Sequence, residues 1–299
     1  MQGVAWLPRL AYRRLVLASE RTQSSSRIVV GGGGFVGGVL ALALARLAPK
    51  ICRVTLVDAV PPNAERAPDG RGLALSPASR NLLSAIGLWP QLEPSAQAMS
   101  AIAITDSPLD AALRPHLLGF ADELQGDSVK AWLVEAGVLL ETIADAVQAD
   151  PGVEVIAPDT VRDFETDAYG ASVHLDSERT LRAALLVAAD GKKSKLRERA
   201  GIKCIGWSYP QMGIVATVAH ERPHNGLAVQ HFLPSGPFAI LPMRGNRSSI
   251  VWTEEADNAK RLVAGDQQVF LSELSRRFGY RLGAISLEGA PRALSLIHI

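Results

Sequence analysis

The sequence has few cysteines, no block of like charge and no long apolar run, and each shortage excludes a class of protein. Its two isolated cysteines, Cys52 and Cys204, form no CxxC pair, so we expect reduced thiols rather than a disulfide framework. With 31 basic and 30 acidic residues and no basic block, the chain lacks the charge pattern of a nucleic-acid-binding protein. The longest apolar run, Phe35–Ala45, is shorter than the roughly 18 residues that span a bilayer.

Histidine is also sparse, and its placement argues against a metal centre. Of the six histidines, His220 and His224 have the four-residue spacing of a helical metal site. Pro223 lies between them and predicts a turn instead of a helix. We therefore expect no metal ion in this protein.

The most informative segment that is present is a strand, a glycine turn and a helix near the start of the chain. Ile28–Val30 is a β-branched run suited to a buried parallel strand. Gly32, Gly34 and Gly37 then fit the spacing G-x-G-x-x-G. In that motif the first glycine permits a tight turn, the second lets a pyrophosphate approach the backbone, and the third lets helix and strand pack closely. The glycine spacing alone is a weak signal, so its context decides.

The context that this motif requires is present. Val39–Leu47 continues as an alanine- and leucine-rich helix, whose N-terminus offers unpaired N–H groups and a partial positive charge to an anion. Val54–Val57 predicts the second strand, and Asp58 follows it, 21 residues beyond Gly37. At that position a carboxylate can accept hydrogen bonds from a ribose diol. The sequence therefore predicts a dinucleotide-binding βαβ unit.

The remaining patterns predict a mixed region followed by a strand-rich one, as expected for 299 residues with 47% hydrophobic content. We expect helices over Ser76–Ile86, with Ser76 as the N-cap, over Val129–Ala149 and over Asp257–Phe278. The predicted strands are Val153–Ile156, a hairpin of Ala171–Leu175 with Arg179–Leu181, a buried strand Leu185–Ala189, and four antiparallel strands at Ile214–Ala219, Ala228–Phe232, Phe238–Leu241 and Ser249–Thr253.

These elements suggest two domains behind a leader. Residues 1–26 are rich in arginine and end in serines, which is compatible with an organelle transit peptide. A disordered leader or a misassigned start codon is the interpretation that we favour. We place the nucleotide-binding domain at residues 27–211, with interleaved segments, and a β-sheet domain with a terminal helix at residues 212–299.

A second short motif follows the predicted strand Leu185–Ala189. Asp190-Gly191 by itself is typical of an ordinary turn. After a buried strand, and in a chain that carries the glycine motif, it indicates a cofactor contact. Asp190 can accept hydrogen bonds there while Gly191 permits the turn.

Three segments together resemble a known enzyme family. They are the glycine motif with Asp58, the segment Asp69–Leu75 and the segment Ala189–Arg197. They are similar to the single-component flavin monooxygenases that hydroxylate aromatic rings, in particular the ubiquinone-biosynthesis branch of 2-polyprenyl-6-methoxyphenol hydroxylases. The patterns at 238–243, 249–252 and 278–283 also resemble that branch, so the likeness covers about residues 27–294.

The resemblance implies the fold, the cofactors and the reaction. The fold class is α/β, a Rossmann-like FAD-binding domain with an inserted or adjacent antiparallel β-sheet substrate domain. The reaction is hydroxylation of a polyprenylated phenol in ubiquinone biosynthesis, with FAD as cofactor, NAD(P)H as electron donor and O2 as co-substrate. The implied cofactor-binding residues are Gly32, Gly34, Gly37, Asp58, Arg71, Asp190 and Gly191. No catalytic side chain is implied, because the flavin carries the chemistry.

The resemblance also concerns the substrate and the location of the protein. Pro242 matches a family position near the substrate cavity, although an edge-strand proline is an equal explanation. Phe238 and Trp252, with Phe232 and Leu233, are further candidates for lining that cavity, and core packing is their default explanation. A polyprenyl substrate implies a cytoplasmic protein peripheral to the inner membrane, or in a quinone-biosynthesis complex. The protein would be mitochondrial if residues 1–26 are a transit peptide.

Two departures from the family pattern leave alternatives open. Val134–Gly137 stands where the family usually carries an arginine that helps to hold the flavin, and Gly137 is expected to weaken the predicted helix. The family's third fingerprint would lie beyond Ile299, so we expect a chain without the last part of the FAD domain. The alternatives are a non-catalytic nucleotide-binding remnant and another FAD-dependent oxidoreductase of the same fold.

Overall fold

A computed structural model of the chain describes residues 26–61, 64, 71–109, 111, 114, 115, 117–120 and 129–298. The leader predicted at residues 1–26 lies outside this part of the chain, except Ser26. The segment Asp69-Gly70 of the second family motif lies outside it as well.

Strands and helices alternate irregularly along the described chain. The strands are β1 (Ser26–Gly31), β2 (Cys52–Val57), β3 (Gly72–Leu75), β4 (Gln97–Met99), β5 (Ala101–Thr105), β6 (Leu118–Phe120), β7 (Ala131–Glu135), β8 (Val153–Ile156), β9 (Val161–Asp167), β10 (Gly170–Leu175), β11 (Thr180–Ala183), β12 (Leu185–Ala188), β13 (Trp207–His220), β14 (Leu227–Leu233), β15 (Gly236–Met243), β16 (Arg247–Glu255) and β17 (Ile285–His298). The α-helices are α1 (Phe35–Leu47), α2 (Pro77–Ala85), α3 (Trp89–Leu92), α4 (Ala136–Ala149), α5 (Lys195–Arg199), α6 (Ala256–Ala264) and α7 (Gln267–Phe278).

The described residues form two compact units. The first contains residues 26–61 and 147–200, and the second contains residues 71–146 and 201–298. This division differs from the predicted one at 211/212, because residues 71–146 group with the second unit. Strand pairing explains the difference: β5 lies beside β14 in one sheet, with Ala101 paired to Leu227. Such a pairing between distant segments leaves no local mark in the sequence.

The first unit is built on a parallel sheet with strand order β12-β1-β2-β8. Val29 of β1 packs in a cluster with Val173 and Leu175 of the antiparallel sheet β11-β10-β9. Val30 points to the opposite face, which α1 covers, and it is fully buried as well. The predicted βαβ unit, the strand Val153–Ile156 and the hairpin are confirmed in this unit. The strand after the hairpin, β12, lies at the sheet edge, so Leu185 is exposed and the expectation of a buried strand is wrong.

The second unit is built on a seven-stranded sheet with strand order β17-β13-β16-β15-β14-β5-β6. The four predicted antiparallel strands are confirmed as β13 to β16. Helices α6 and α7 cover one face of this sheet and bury Phe238 and Trp252 beneath them, against Phe270 of α7. A smaller antiparallel sheet, β3-β7-β4, completes the unit.

Two predicted helices of the second unit have different extents in the structure. The helix expected over Val129–Ala149 begins only at Ala136, because the residues before it form β7, which pairs with both β3 and β4. Gly137 therefore lies in the first turn of α4, where the cost of a mid-helix glycine does not apply. The helix expected over Asp257–Phe278 is two helices, since Asp266 ends the run and caps α7 by accepting from the N–H groups of Gln268 and Val269. The helix capped by Ser76 is confirmed.

Two buried histidines of the second unit predict a pH-dependent stability. His220 and His231 are 6% and 2% exposed. Burial lowers the pKa of each from its ordinary value of 6.5, and the nearby charge of Arg114 lowers the pKa of His231 further. Below about pH 6.5 the unfolded chain binds protons at these positions that the folded chain does not. The free energy of unfolding should therefore fall as the pH is lowered through this range, by up to about 1.4 kcal/mol per pH unit for each group.

Urea unfolding at pH 7.5 and 5.5 measures this effect. Tryptophan fluorescence is a suitable probe because the described tryptophans all lie in the second unit, at positions 89, 132, 207 and 252. In the double variant His220→Asn, His231→Asn the decrease between the two pH values should become smaller. A free energy of unfolding that stays constant or rises towards pH 5.5 in the original chain would contradict the prediction.

Candidate nucleotide-binding site

The strand order of the first unit brings three sequence motifs to one edge of the parallel sheet. Gly32 follows β1, Asp58 follows β2 and Asp190 lies just beyond β12, and these three strands are parallel neighbours. Strand β2, which follows β1 in the chain, lies on one side of β1, and β12 lies on the other side. The strand order therefore reverses at β1. Open α/β sheets bind ligands at such a point, outside the carboxyl ends of the strands.

The backbone at Gly32 requires a glycine. Its φ angle is +105°, and its N–H donates to the carbonyl oxygen of Val57 at 2.8 Å. A Cβ at this position would lie 2.5 Å from the carbonyl oxygen of Ala189. Both the conformation and the space therefore exclude a side chain, as expected for the first glycine of the motif.

Gly37 lets α1 pack directly against the glycine turn. A Cβ at Gly37 would lie 1.8 Å from the carbonyl oxygen of Gly32 and 3.1 Å from the Cβ of Ala189. No rotation of a side chain can relieve the first contact, because a backbone atom makes it. The third glycine of the motif thus fixes the distance between helix and strand.

Gly34 has the opposite surroundings. It is the N-cap of α1, and a Cβ there would meet none of the described residues within 4 Å. No side chain caps this helix, and its first turn carries no acidic residue. The N–H groups of the first turn and the positive end of the helix dipole are therefore open to an anion, with no Cβ in its way.

Asp58 places a carboxylate at this bend. Its Oδ2 accepts a hydrogen bond from the N–H of Gly33 at 2.5 Å, and its Oδ1 accepts one from Val60 at 2.8 Å. Each carboxylate oxygen has more than one acceptor site, so the group can still accept from a ribose diol. The glycine motif does not identify Gly33 as a functional residue. Its position between two motif glycines, Gly32 and Gly34, is the feature from which its role at the bend could have been predicted.

The Asp190 carboxylate makes its hydrogen bonds within its own turn. Its carboxylate accepts from the Ser194 hydroxyl and from the N–H of Leu196 at 3.2 Å, and the Ser194 oxygen caps α5 by accepting from Arg197 N–H. Burial opposes ionisation, but these hydrogen bonds outweigh it and hold the pKa of Asp190 below its ordinary value of 3.8. Gly191 has a φ of +86°, which favours glycine. A cofactor contact at Asp190-Gly191 stays a prediction.

The other predicted site residues belong to the second unit. Arg71 precedes β3, and its carbonyl oxygen accepts from Ala136 N–H at 2.9 Å. Pro242 lies in β15, an interior strand, so the edge-strand explanation is wrong. A proline has no N–H to donate to a neighbouring strand. Pro242 is tolerated because the pairing of β15 with β14 ends at Ile240, two residues earlier.

Phe238 and Trp252 are completely buried in the core beneath α6 and α7. Their ring centroids are 6.2 Å apart, and Trp252 lies 5.8 Å from Phe270. Core packing therefore explains both residues, and a contact with substrate stays a prediction. Phe232, by contrast, is 49% exposed.

The glycine bend fits the ADP part of a dinucleotide cofactor. An open helix N-terminus suits the diphosphate, Gly34 removes the Cβ that would block it, and Asp58 suits the ribose. Among the described residues, no group of three or more His, Cys, Asp or Glu side chains could hold a metal ion. No helix in the described part of the chain is both long and apolar enough to cross a bilayer.

Comparison with known proteins gives the same cofactor. Residues 25–297 match the family described as FAD binding domain. Among curated proteins, the chain is 42% identical over 259 residues to ubiquinone hydroxylase UbiL of Rhodospirillum rubrum, covering 86% of this chain and 58% of that protein. It is 31% identical over 280 residues to the mouse (Mus musculus) mitochondrial ubiquinone biosynthesis monooxygenase COQ6, covering 88% of this chain and 58% of that protein. The chain thus spans a little over half the length of these two relatives.

The fold is also that of solved flavoproteins. PqsL of Pseudomonas aeruginosa, a probable FAD-dependent monooxygenase, superposes with a TM-score of 0.70 at 20% identity, covering 85% of this chain and 67% of that one. The predicted α/β fold class and the resemblance to ubiquinone-biosynthesis hydroxylases are confirmed. The chain belongs to the FAD-binding domain family.

Proposed function

We propose that the first unit holds the ADP part of FAD and that the protein hydroxylates a polyprenylated phenol in ubiquinone biosynthesis, using NAD(P)H and O2. The observation that carries the cofactor assignment is the Asp58 carboxylate bound to the Gly33 amide, beside an uncapped helix N-terminus. The reaction class is supported by the similarity to a ubiquinone hydroxylase and a ubiquinone biosynthesis monooxygenase. The first unit would then be the cofactor domain and the second the substrate domain.

The residues of the bend have separate tasks in this proposal. The first-turn N–H groups of α1 bind the diphosphate, and Gly34 leaves room for its approach. Asp58 accepts from the ribose hydroxyls and, through Gly33, keeps the bend in the conformation that points those N–H groups outward. Asp190 and Gly191 contact the cofactor next to the bend, while a flavin contact of Arg71 stays a prediction. When bound, FAD supplies the electron transfer and oxygen activation that no side chain provides.

The nature of the substrate bears on where the protein works. A polyprenyl chain partitions into a bilayer, because each buried CH2 group favours the apolar phase by about 0.8 kcal/mol. We therefore place the protein at the surface of the inner membrane, in contact with other quinone-biosynthesis enzymes. A mitochondrial location depends on residues 1–26.

Asp58→Ala tests the cofactor site. The purified 299-residue chain should retain FAD, visible as flavin absorbance, and the variant should bind FAD about tenfold to a hundredfold more weakly, the loss expected for hydrogen bonds to a charged group. Asp167→Asn is the matched control, since that carboxylate lies in the same unit and pairs with Arg182 at the surface. A titration of quenched flavin fluorescence gives the dissociation constants.

Other outcomes would favour other functions. An original chain that binds no FAD would indicate a nucleotide-binding remnant. An equal FAD affinity in the original chain and in Asp58→Ala would place the cofactor elsewhere. If the FAD-loaded protein oxidises NAD(P)H but a phenol substrate gains no oxygen atom by mass spectrometry, another oxidoreductase reaction on this fold would be favoured.

A further inference from the structure

A large cavity lies in the second unit, and none of the residues that line it is assigned above to the cofactor. Its volume is about 930 Å³, within the range of small-molecule sites. Strands β5 and β14 contribute one wall through Thr105, Val229 and His231, and α7 contributes another. Val229 also packs against the core beneath α6 and α7, so the cavity opens on the helix-covered face of the large sheet.

One buried polar atom in the wall of this cavity has no partner. His231 is 2% exposed, and its Nδ1 is hydrogen-bonded to the Thr105 hydroxyl at 2.5 Å. Its Nε2 is buried and makes no hydrogen bond within the part of the chain that the structure describes. Less than 1 Å² of Nε2 is accessible, so this nitrogen lies behind the cavity wall and does not face into the cavity. The His231 ring itself lines the cavity next to Thr105 and Val229.

The cavity is also positively charged. Four arginines line it, and among the described lining residues there is no Asp or Glu. Two of these arginines, Arg114 and Arg277, interact with other groups of the protein. Arg114 donates to the carbonyl oxygens of Arg276 and Arg277 at the end of α7, at 2.8 and 2.7 Å. Arg277 pairs with Glu254 at 3.4 Å and with Glu273 at 2.5 Å.

Arg281 differs from these arginines. Its guanidinium makes no hydrogen bond or ion pair with any residue in the described ranges. Desolvation alone lowers the pKa of Arg281, with no carboxylate nearby to raise it. Arg281 therefore offers the cavity a guanidinium that has no ion pair in the described ranges, while the apolar lining includes Ile240, Leu271 and Phe278.

We propose that this cavity is a second ligand site, which takes an organic monocarboxylate with an apolar body. Arg281 pairs with the carboxylate, since a planar guanidinium matches its two oxygens. The apolar body lies against Ile240, Leu271 and Phe278, and the buried His231 ring forms part of the same wall. One guanidinium pairs with one carboxylate, so the proposal is a monocarboxylate and a phosphate is tested separately. The site is distinct from the proposed ones, because none of its lining residues is among those assigned above to the cofactor or the substrate.

Calorimetric titration of the 299-residue chain with sodium octanoate, in the presence of saturating FAD, tests this inference. We expect one octanoate per chain, and a dissociation constant at least about tenfold higher in Arg281→Met, the loss expected for one charge-assisted pair. Lys260→Met is the charge-matched control, because Lys260 is exposed on α6, pairs with Asp257 and does not line the cavity. It should bind octanoate as the original chain does.

Two comparison ligands make the test specific. 1-Octanol should bind at least about tenfold more weakly than octanoate, and octyl phosphate should bind no better. Absence of octanoate binding, equal binding of octanol, or unchanged affinity in Arg281→Met would each overturn the proposal. Arg281 is exposed, so its substitution should leave the fold intact.

Discussion

Gly37→Ala is expected to abolish FAD binding and to destabilise the first unit by about 2–3 kcal/mol, the cost of forcing an extra carbon into a packed region. The added Cβ would lie 1.8 Å from the carbonyl oxygen of Gly32, so either α1 or the turn must move. Movement of α1 displaces the N–H groups that would hold the diphosphate. The free energy of unfolding and the FAD dissociation constant should therefore change together.

Gly34→Ala is the matched variant and should separate the two effects. A Cβ at Gly34 meets no described residue within 4 Å, and its backbone is in an ordinary extended conformation. The variant should fold with nearly unchanged stability, yet bind FAD at least about tenfold more weakly, because the methyl group occupies the approach of the diphosphate. Urea unfolding followed by circular dichroism, together with an FAD titration, measures both quantities.

The pair of variants gives clear contrary outcomes. If Gly34→Ala binds FAD normally, the diphosphate does not cross this part of the bend. A Gly37→Ala variant as stable as the original chain would contradict the close approach of α1 to the glycine turn.

Trp252→Ala should be the most destabilising substitution in the second unit. The side chain is completely buried against Phe238 and Phe270, and its indole N–H donates to Glu254 at 3.2 Å. The Arg277 guanidinium lies 4.2 Å from the ring centroid, so a cation–π contact is lost as well. Removing a buried tryptophan costs about 3–5 kcal/mol. Urea unfolding followed by circular dichroism measures the loss.

The matched control is Phe232→Ala. Phe232 is also an aromatic residue of the large sheet, but it is 49% exposed, so its removal should cost about 1 kcal/mol or less. If Trp252 contacts substrate instead of stabilising the core, Trp252→Ala would leave the free energy of unfolding nearly unchanged. A loss of stability similar to that of Phe232→Ala would therefore contradict the assignment of Trp252 to the core.

The features that the sequence predicts well are those set by neighbouring residues. The βαβ unit could be found because glycine spacing, strand composition and the acid after β2 all lie within about thirty residues, as this motif requires. Ser76 was identified as an N-cap by the same kind of local chemistry. Runs of alternating or β-branched residues predicted β13 to β16, although each strand is longer in the structure.

Apart from the helix predicted over Asp257–Phe278, which Asp266 divides in two, the errors concern pairing between distant segments. Ala131–Glu135 has apolar residues that suit a helix, yet it is a strand because β3 and β4 lie on either side of it. Leu185 was expected to be buried, but β12 has a neighbour on one side only. Local composition cannot reveal which distant strand lies beside a segment, and tertiary pairing overrides intrinsic propensity.

By itself, the sequence determined where the chain turns too tightly for a side chain and where a carboxylate follows a strand, and so it determined the cofactor class. These are properties of short segments, whose backbone conformation depends on their own residues. Only the tertiary structure decided that residues 71–146 group with the strand-rich unit, that Phe238 and Trp252 form its core, and that His231 and Arg281 line one cavity. The physical reason is that burial and strand pairing depend on segments far apart in the chain.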